Sequence, residues 1–245
     1  MKAALVDVLK HPGVWRGDGY SQIAVPTTPC GHERLAPLLP GAGWPLAAVT
    51  EVIASRAGCG ELKLLLPALA RLSQAGKQIL LIAPPQIPYA PAWQAAGVDL
   101  RRLTWVNPKT EHDALWAMEQ SLREPACGAV VGWFDLALSD RNCRRLQLAA
   151  EQGGGSGFVL RHGRAENVSS PFGLRLGVES VAGGVAVQVL KRRGAAATQA
   201  VFLPHSHQTT PTRHPATGPT HVVASTTPAF STARRTASEP YAYAA

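Results

Sequence analysis

The stretch SRAGCGEL, Ser55–Leu62, constrains the fold of this chain more than any other. It joins a strand-like run, Ala48–Ala54 (AVTEVIA), to a helix-like apolar run, Leu62–Leu72. A strand, a glycine-containing loop and a helix in that order belong to α/β architecture, where helices cover a mainly parallel sheet. The same order is the setting of a phosphate-binding loop, G-x-x-x-x-G-K-[ST]. Its glycines let backbone N–H groups surround the phosphates, its lysine reaches the outer ones and its hydroxyl holds Mg²⁺. Here Gly58 and Gly60 keep the loop glycine-rich, but Ser55 stands at the first glycine, Glu61 at the lysine and Leu62 at the hydroxyl. A carboxylate repels a triphosphate, and a leucine holds no metal. The loop reads as a degenerate P-loop or as a plain glycine-rich turn, and on neither reading is a cofactor or a metal expected.

Composition narrows the class of partner. The chain has 245 residues, 46% of them hydrophobic, enough for one sizeable core or a core plus a tail. No apolar run approaches the ~20 uncharged residues of a membrane span. The opening MKAALVDVLKHPGVW carries Lys2, Asp7 and Lys10, a poor secretory signal, so a cytoplasmic protein without membrane contact is expected. Cys30, Cys59, Cys127 and Cys143 lie far apart with no C-x-x-C pair, which fits reduced, partly buried thiols rather than a zinc site. The net charge of +8 favours an acidic partner, nucleic acid first among them. Much of that excess is local. No acidic residue falls between Glu179 and Glu239, an interval that holds Lys191, Arg192, Arg193, Arg213, Arg234 and Arg235. DNA contact is expected to be weak, because the glycine run Gly153–Gly157 lacks the aromatic-and-basic interleaving of a single-strand platform.

Along the chain, residues 1–40 read as an N-terminal arm and connector, 41–194 as an α/β core and 195–245 as a disordered basic tail rich in Thr, Pro and Ala. Within the core, Gln78–Ala83 and Ala129–Phe134 are apolar runs suited to buried strands. Pro91–Gly97 predicts a short helix stopped by glycine, and Leu103–Val106 a further strand. Glu111–Arg123 predicts a helix whose Leu115, Met118 and Leu122 face inward. Ser139 predicts an N-cap for a helix through Glu151, with Cys143, Leu146 and Ala150 inside and Arg141, Arg144 and Arg145 outside. Phe158–Arg161, Leu174–Val178 and Val185–Leu190 close the core as strands, the last two joined at Gly183-Gly184. After Ala195 the sequence cannot bury enough surface to offset the entropy of ordering it.

The order of elements resembles the RecA-type ATPase core. In particular, Gln78–Val106 runs strand, helix, Gly97-Val98-Asp99 and strand, as that family does after its P-loop. The resemblance implies a mainly parallel sheet with helices on both faces. The family's functional residues do not carry over: its catalytic Glu falls near Pro84-Pro85 and its Walker B Asp at Trp133, with Asp135 the nearest carboxylate. Without these groups nothing neutralises the transferring phosphoryl charge or orients water, so the chain is not expected to be an enzyme. HPGVWRG (His11–Gly17), LPGAGWP (Leu39–Pro45), GELKLLLPALARL (Gly60–Leu72), APPQIPYAPAW (Ala83–Trp93), LWAMEQSLR (Leu115–Arg123), CGAVVGW (Cys127–Trp133) and RRLQLAAE (Arg144–Glu151) resemble the ImuA family. ImuA is RecA-like and SulA-related, and the resemblance covers roughly residues 10–194.

That resemblance implies a non-catalytic adaptor of damage-inducible translesion DNA synthesis, part of the SOS response. Its partners would be ImuB, an inactive polymerase relative, and through it an error-prone polymerase, with RecA a further partner. Two alternatives stand beside it: a SulA-like cell division inhibitor binding the tubulin-like protein FtsZ, and a weak ATPase with a non-standard pocket. Candidate partner or DNA contacts are Trp15 and Arg16 in the arm and the basic stretch Lys191, Arg192 and Arg193. Trp15 equally suits tucking the arm onto its own domain, and Lys191–Arg193 a solvated strand end.

Overall fold

The computed structural model describes residues 26–135, 138–163, 170–192 and 200–204. The run AVTEVIA forms strand β3 (Ala48–Ala54), buried along nearly its whole length, as expected of a strand covered on both faces. Before it, β1 (Thr27–Pro29) and β2 (Gly43–Pro45) make a small antiparallel pair. After it come α1 (Glu61–Gln74), β4 (Gln78–Ile82), α2 (Ala90–Ala95), β5 (Leu103–Val106), α3 (Glu111–Arg123) and β6 (Cys127–Trp133). The chain continues through α4 (Asp140–Gly153), β7 (Ser156–His162), β8 (Leu174–Val181), β9 (Gly184–Lys191) and β10 (Val201–Pro204).

The described strands of the main sheet run β10-β9-β8-β3-β7-β6-β4-β5. Every pair from β8 to β5 is parallel, while β9 and β10 extend the sheet antiparallel from β8. The mixed α/β class with a mostly parallel sheet is therefore as expected. Alternation along each strand sends side chains to two cores. Val52, Val131 and Leu160 pack with Leu65 and Leu69 of α1 and Trp93 of α2. Val49, Val130 and Val159 pack on the opposite side with Met118 of α3 and Leu146 of α4.

Local chemistry sets the helix ends. Thr110 and Ser139 accept hydrogen bonds from Asp113 N and Asn142 N at the starts of α3 and α4, satisfying donors that have no partner inside the helix. The buried stripe of α3 is Ala114, Met118 and Leu122, so Leu115 sits beside the core rather than in it. The glycine run after α4 is a tight connection rather than a loop projecting from the domain. Gly154 has φ +78°, and a Cβ on Gly155 would meet Cys127 O at 2.5 Å.

Both expected boundaries of the core shift. Cys30, Leu35 and Leu39 are buried with α1, so part of the expected connector belongs to the core. At the other end, β10 pairs with β9 and buries Leu203, inside the segment expected to be disordered. Residues 1–25 and 205–245 lie outside the described residues. Among the described residues, no helix is long and apolar enough to cross a membrane.

Candidate functional site

The C-terminal ends of β3, β4 and β6 and the start of α1 surround a cavity of about 380 Å³. Crevices at this end of a parallel sheet are where α/β proteins place ligands. Its walls are Leu62, Leu81, Trp93, Trp133 and the segment Pro84–Tyr89, with Gly58 and Glu61 at one side. Pro84, Pro85 and Trp133, the positions at which the RecA-type resemblance implied lost carboxylates, line it. Asp135 is exposed at the end of β6 and does not line it. Among the described lining residues, Glu61 carries the single carboxylate.

That carboxylate is already engaged. Gly58 N–H donates to Glu61 Oε1 and Gly60 N–H to Oε2, each at 3.0 Å. Ser55 N–H is tied to Val178 O on β8. Cys59 is buried within the loop. Burial, and then the charge of Glu61, push its thiol above the ordinary value, so it stays protonated and unreactive at neutral pH. Leu62 faces the cavity. The loop residues singled out in the sequence thus come together, as an apolar cavity wall and a closed turn.

Above the cavity the surface is apolar. Ile87 is 77% exposed and Tyr89 is 70% exposed, two large apolar side chains close together on the cavity's rim. Sequence reading took this segment, APPQIPYAPAW, only as part of a family resemblance and did not single out Ile87 or Tyr89. Other candidate contacts are engaged within the chain: Lys191 Nζ donates to Ser170 O and Arg192 Nη1 to Leu38 O. Trp15, Arg16 and Arg193 lie outside the described residues. On α4, Arg145 is paired with Glu119 of α3.

Sequence reading also missed a buried ionic cluster. Glu51 on β3 lies between Arg161 on β7, at 2.8 Å, and Arg175 on β8, at 2.5 Å, all three side chains almost fully buried. The signal was there: a charge inside each of the apolar strands AVTEVIA, SGFVLRH and LRLGVESV. All four cysteines are free and buried. Burial is the main cause holding the Cys143 thiol near 11. Among the described residues, no cluster of three His, Cys, Asp or Glu is placed to hold a metal.

Comparison with known proteins then gives the relationship. The family model described as "Cell division inhibitor SulA" matches residues 47–157. A protein of that name from Klebsiella aerogenes is 34% identical over 109 residues, covering 44% of this chain and 63% of its own length. Its counterpart from Citrobacter koseri is 32% identical over 98 residues, covering 40% of this chain and 58% of its own length. The chain thus spans about 60% of the length of these curated relatives. The crystal structure of SulA from Pseudomonas aeruginosa is 28% identical, with a TM-score of 0.40 over 46% of this chain and 98% of that one. These matches are division inhibitors, which overturns the expectation of a mutasome adaptor and of ImuB, an error-prone polymerase and RecA as partners. Through the segment from β3 to the start of β7, this chain is similar to the SulA proteins.

Proposed function

We propose that this protein is a cell division inhibitor that acts by binding the tubulin-like division protein FtsZ, within the SOS response to DNA damage. The observation that carries the reading is the match of residues 47–157 to the SulA family model. That segment contains α1, the cavity and the exposed Ile87 and Tyr89. On this reading the chain is a cytoplasmic, non-catalytic protein whose RecA-like core keeps a degenerate P-loop only as structure. The docking surface is the apolar rim around Ile87 and Tyr89, since exposed apolar side chains beside a cavity gain most from being covered by a partner.

The test is polymerisation of purified FtsZ with GTP, followed by sedimentation, with and without the full chain. Polymer is expected to fall as the chain approaches equimolar ratio, and Ile87→Asp to weaken this at least about tenfold while keeping the fold, the scale of losing one anchor of about 1.4 kcal/mol or more. Undiminished polymer at excess of folded protein rules the reading out.

A further inference from the structure

Helices α3 and α4 lie side by side on the face of the sheet opposite the cavity, packed over Val49, Val130 and Val159. Each connects parallel strands of one sheet, so the two helices run in the same direction. Arg123 of α3 and Arg145 of α4 both pair with the buried carboxylate of Glu119, which sets Glu119 level with Arg145. About one turn before that pair stand Trp116 on α3 and Arg141 on α4. Trp116 is 59% exposed, and Leu148, one turn beyond Arg144, is 64% exposed. Arg141, Arg144 and Arg145 are exposed with them.

The charge on this face is one-sided. Glu111, Asp113 and Asp140 lie in the first turns, where the helix dipole favours them, and Glu151 accepts from Gln147 Nε2 near the far end of α4. Between those ends the two helices carry four arginines and one carboxylate, Glu119. Among the described residues, Arg141 and Arg144 take part in no ion pair. The aromatic-and-basic interleaving that the glycine run lacks is present here: an exposed indole stacks on a base while guanidinium groups beside it meet phosphates. We propose that the α3–α4 face binds single-stranded nucleic acid, Trp116 stacking on a base and Arg141 and Arg144 holding its phosphates. Charge and stacking, not sequence, select such a strand. The inference does not rest on FtsZ binding, whose proposed rim lies beside α1 and α2 across the sheet.

The experiment is fluorescence anisotropy of labelled oligo(dT) and oligo(U), each of about sixteen nucleotides, titrated with the full chain and with three variants. Both substituted positions are exposed, so the variants are expected to keep the fold and the circular dichroism of the unsubstituted chain. Trp116→Ala is expected to weaken binding at least about fivefold, and Trp116→Phe less, because a smaller ring still stacks. Arg144→Ala is expected to make the slope of log affinity against log salt shallower by about 0.7, one phosphate contact fewer. Tighter binding of one oligonucleotide supports the proposal and tells whether DNA or RNA is the better fit. The proposal is overturned if neither oligonucleotide binds, if a duplex of the same length binds as tightly, or if Trp116→Ala and Arg144→Ala bind as the unsubstituted chain does. Displacement of the oligonucleotide by an equal charge of poly-glutamate overturns it too, since the face would then serve an acidic protein.

Discussion

Gly60 has φ +110°, and a Cβ there would stand 2.6 Å from Val185 Cγ1 on β9. Alanine at this position meets backbone strain and a branched side chain held in the core, so Gly60→Ala is expected to cost about 1–3 kcal/mol in urea unfolding. His32 gives a second prediction at this scale. Pro67, inside α1, has no N–H, which leaves the Lys63 carbonyl without its helical donor. The His32 imidazole lies against this turn, with Nε2 3.1 Å from Leu64 O; a carbonyl only accepts, so Nε2 carries the proton. Burial is the largest influence and lowers the imidazole below its ordinary 6.5, the Leu64 and Lys63 carbonyls opposing it. A depressed histidine binds its proton more readily in the unfolded chain. Stability is therefore intact above about pH 6.5 and declines as pH falls below it. His32→Gln keeps an N–H donor without titrating, and its unfolding midpoint is expected to fall less between about pH 7.5 and pH 5.5 than that of the unsubstituted chain.

Strands β7, β3 and β8 lie side by side, and Glu51 joins them through Arg161 and Arg175. Removing a partner from a buried ion cluster leaves an uncompensated charge, so Glu51→Ala is expected to lose about 3–5 kcal/mol in denaturant unfolding. A loss below about 1 kcal/mol would mean that water replaces the carboxylate. These strands also show how far the sequence was legible. Ala48–Ala54 was readable to the residue as a hydrophobic run that marks a buried strand, and Leu103–Val106 was readable as a short strand, which the fold places at the sheet edge. The pairing of Glu51 with Arg161 and Arg175 was not, since period and hydropathy do not report which strands become neighbours. The same limit explains α3, where the stripe settled on Ala114 rather than Leu115, a choice made by the packing of α3 against β6 and α4. In the site, the glycines of the loop and the Glu61 and Leu62 that follow them were visible in the sequence. The turning of Glu61 onto Gly58 and Gly60 was not, because a motif gives residue types and not side-chain direction.

The SulA-matching segment stops at residue 157, before β8, which joins β3 in parallel, and the antiparallel strands β9 and β10 beyond it. Without β8, one side of β3 would be an unpaired edge, so the extension completes the burial that the central strand requires. Its last strand was hidden in the sequence. Val201–Pro204 has four residues and no periodic neighbours, and only pairing with β9 makes it a strand. Two truncations separate the observed boundary from the expected one. Ending the chain after Ser206 retains β10, whereas ending it after Gln199 removes β10. The second loses the burial of Leu203, worth about 1.5–3 kcal/mol, and leaves the β9 edge unpaired. The chain ending at Gln199 is therefore expected to unfold about 2–4 kcal/mol more easily than the chain ending at Ser206. Equal midpoints in urea would place β10 outside the cooperative unit and return the core boundary to the region of residue 194.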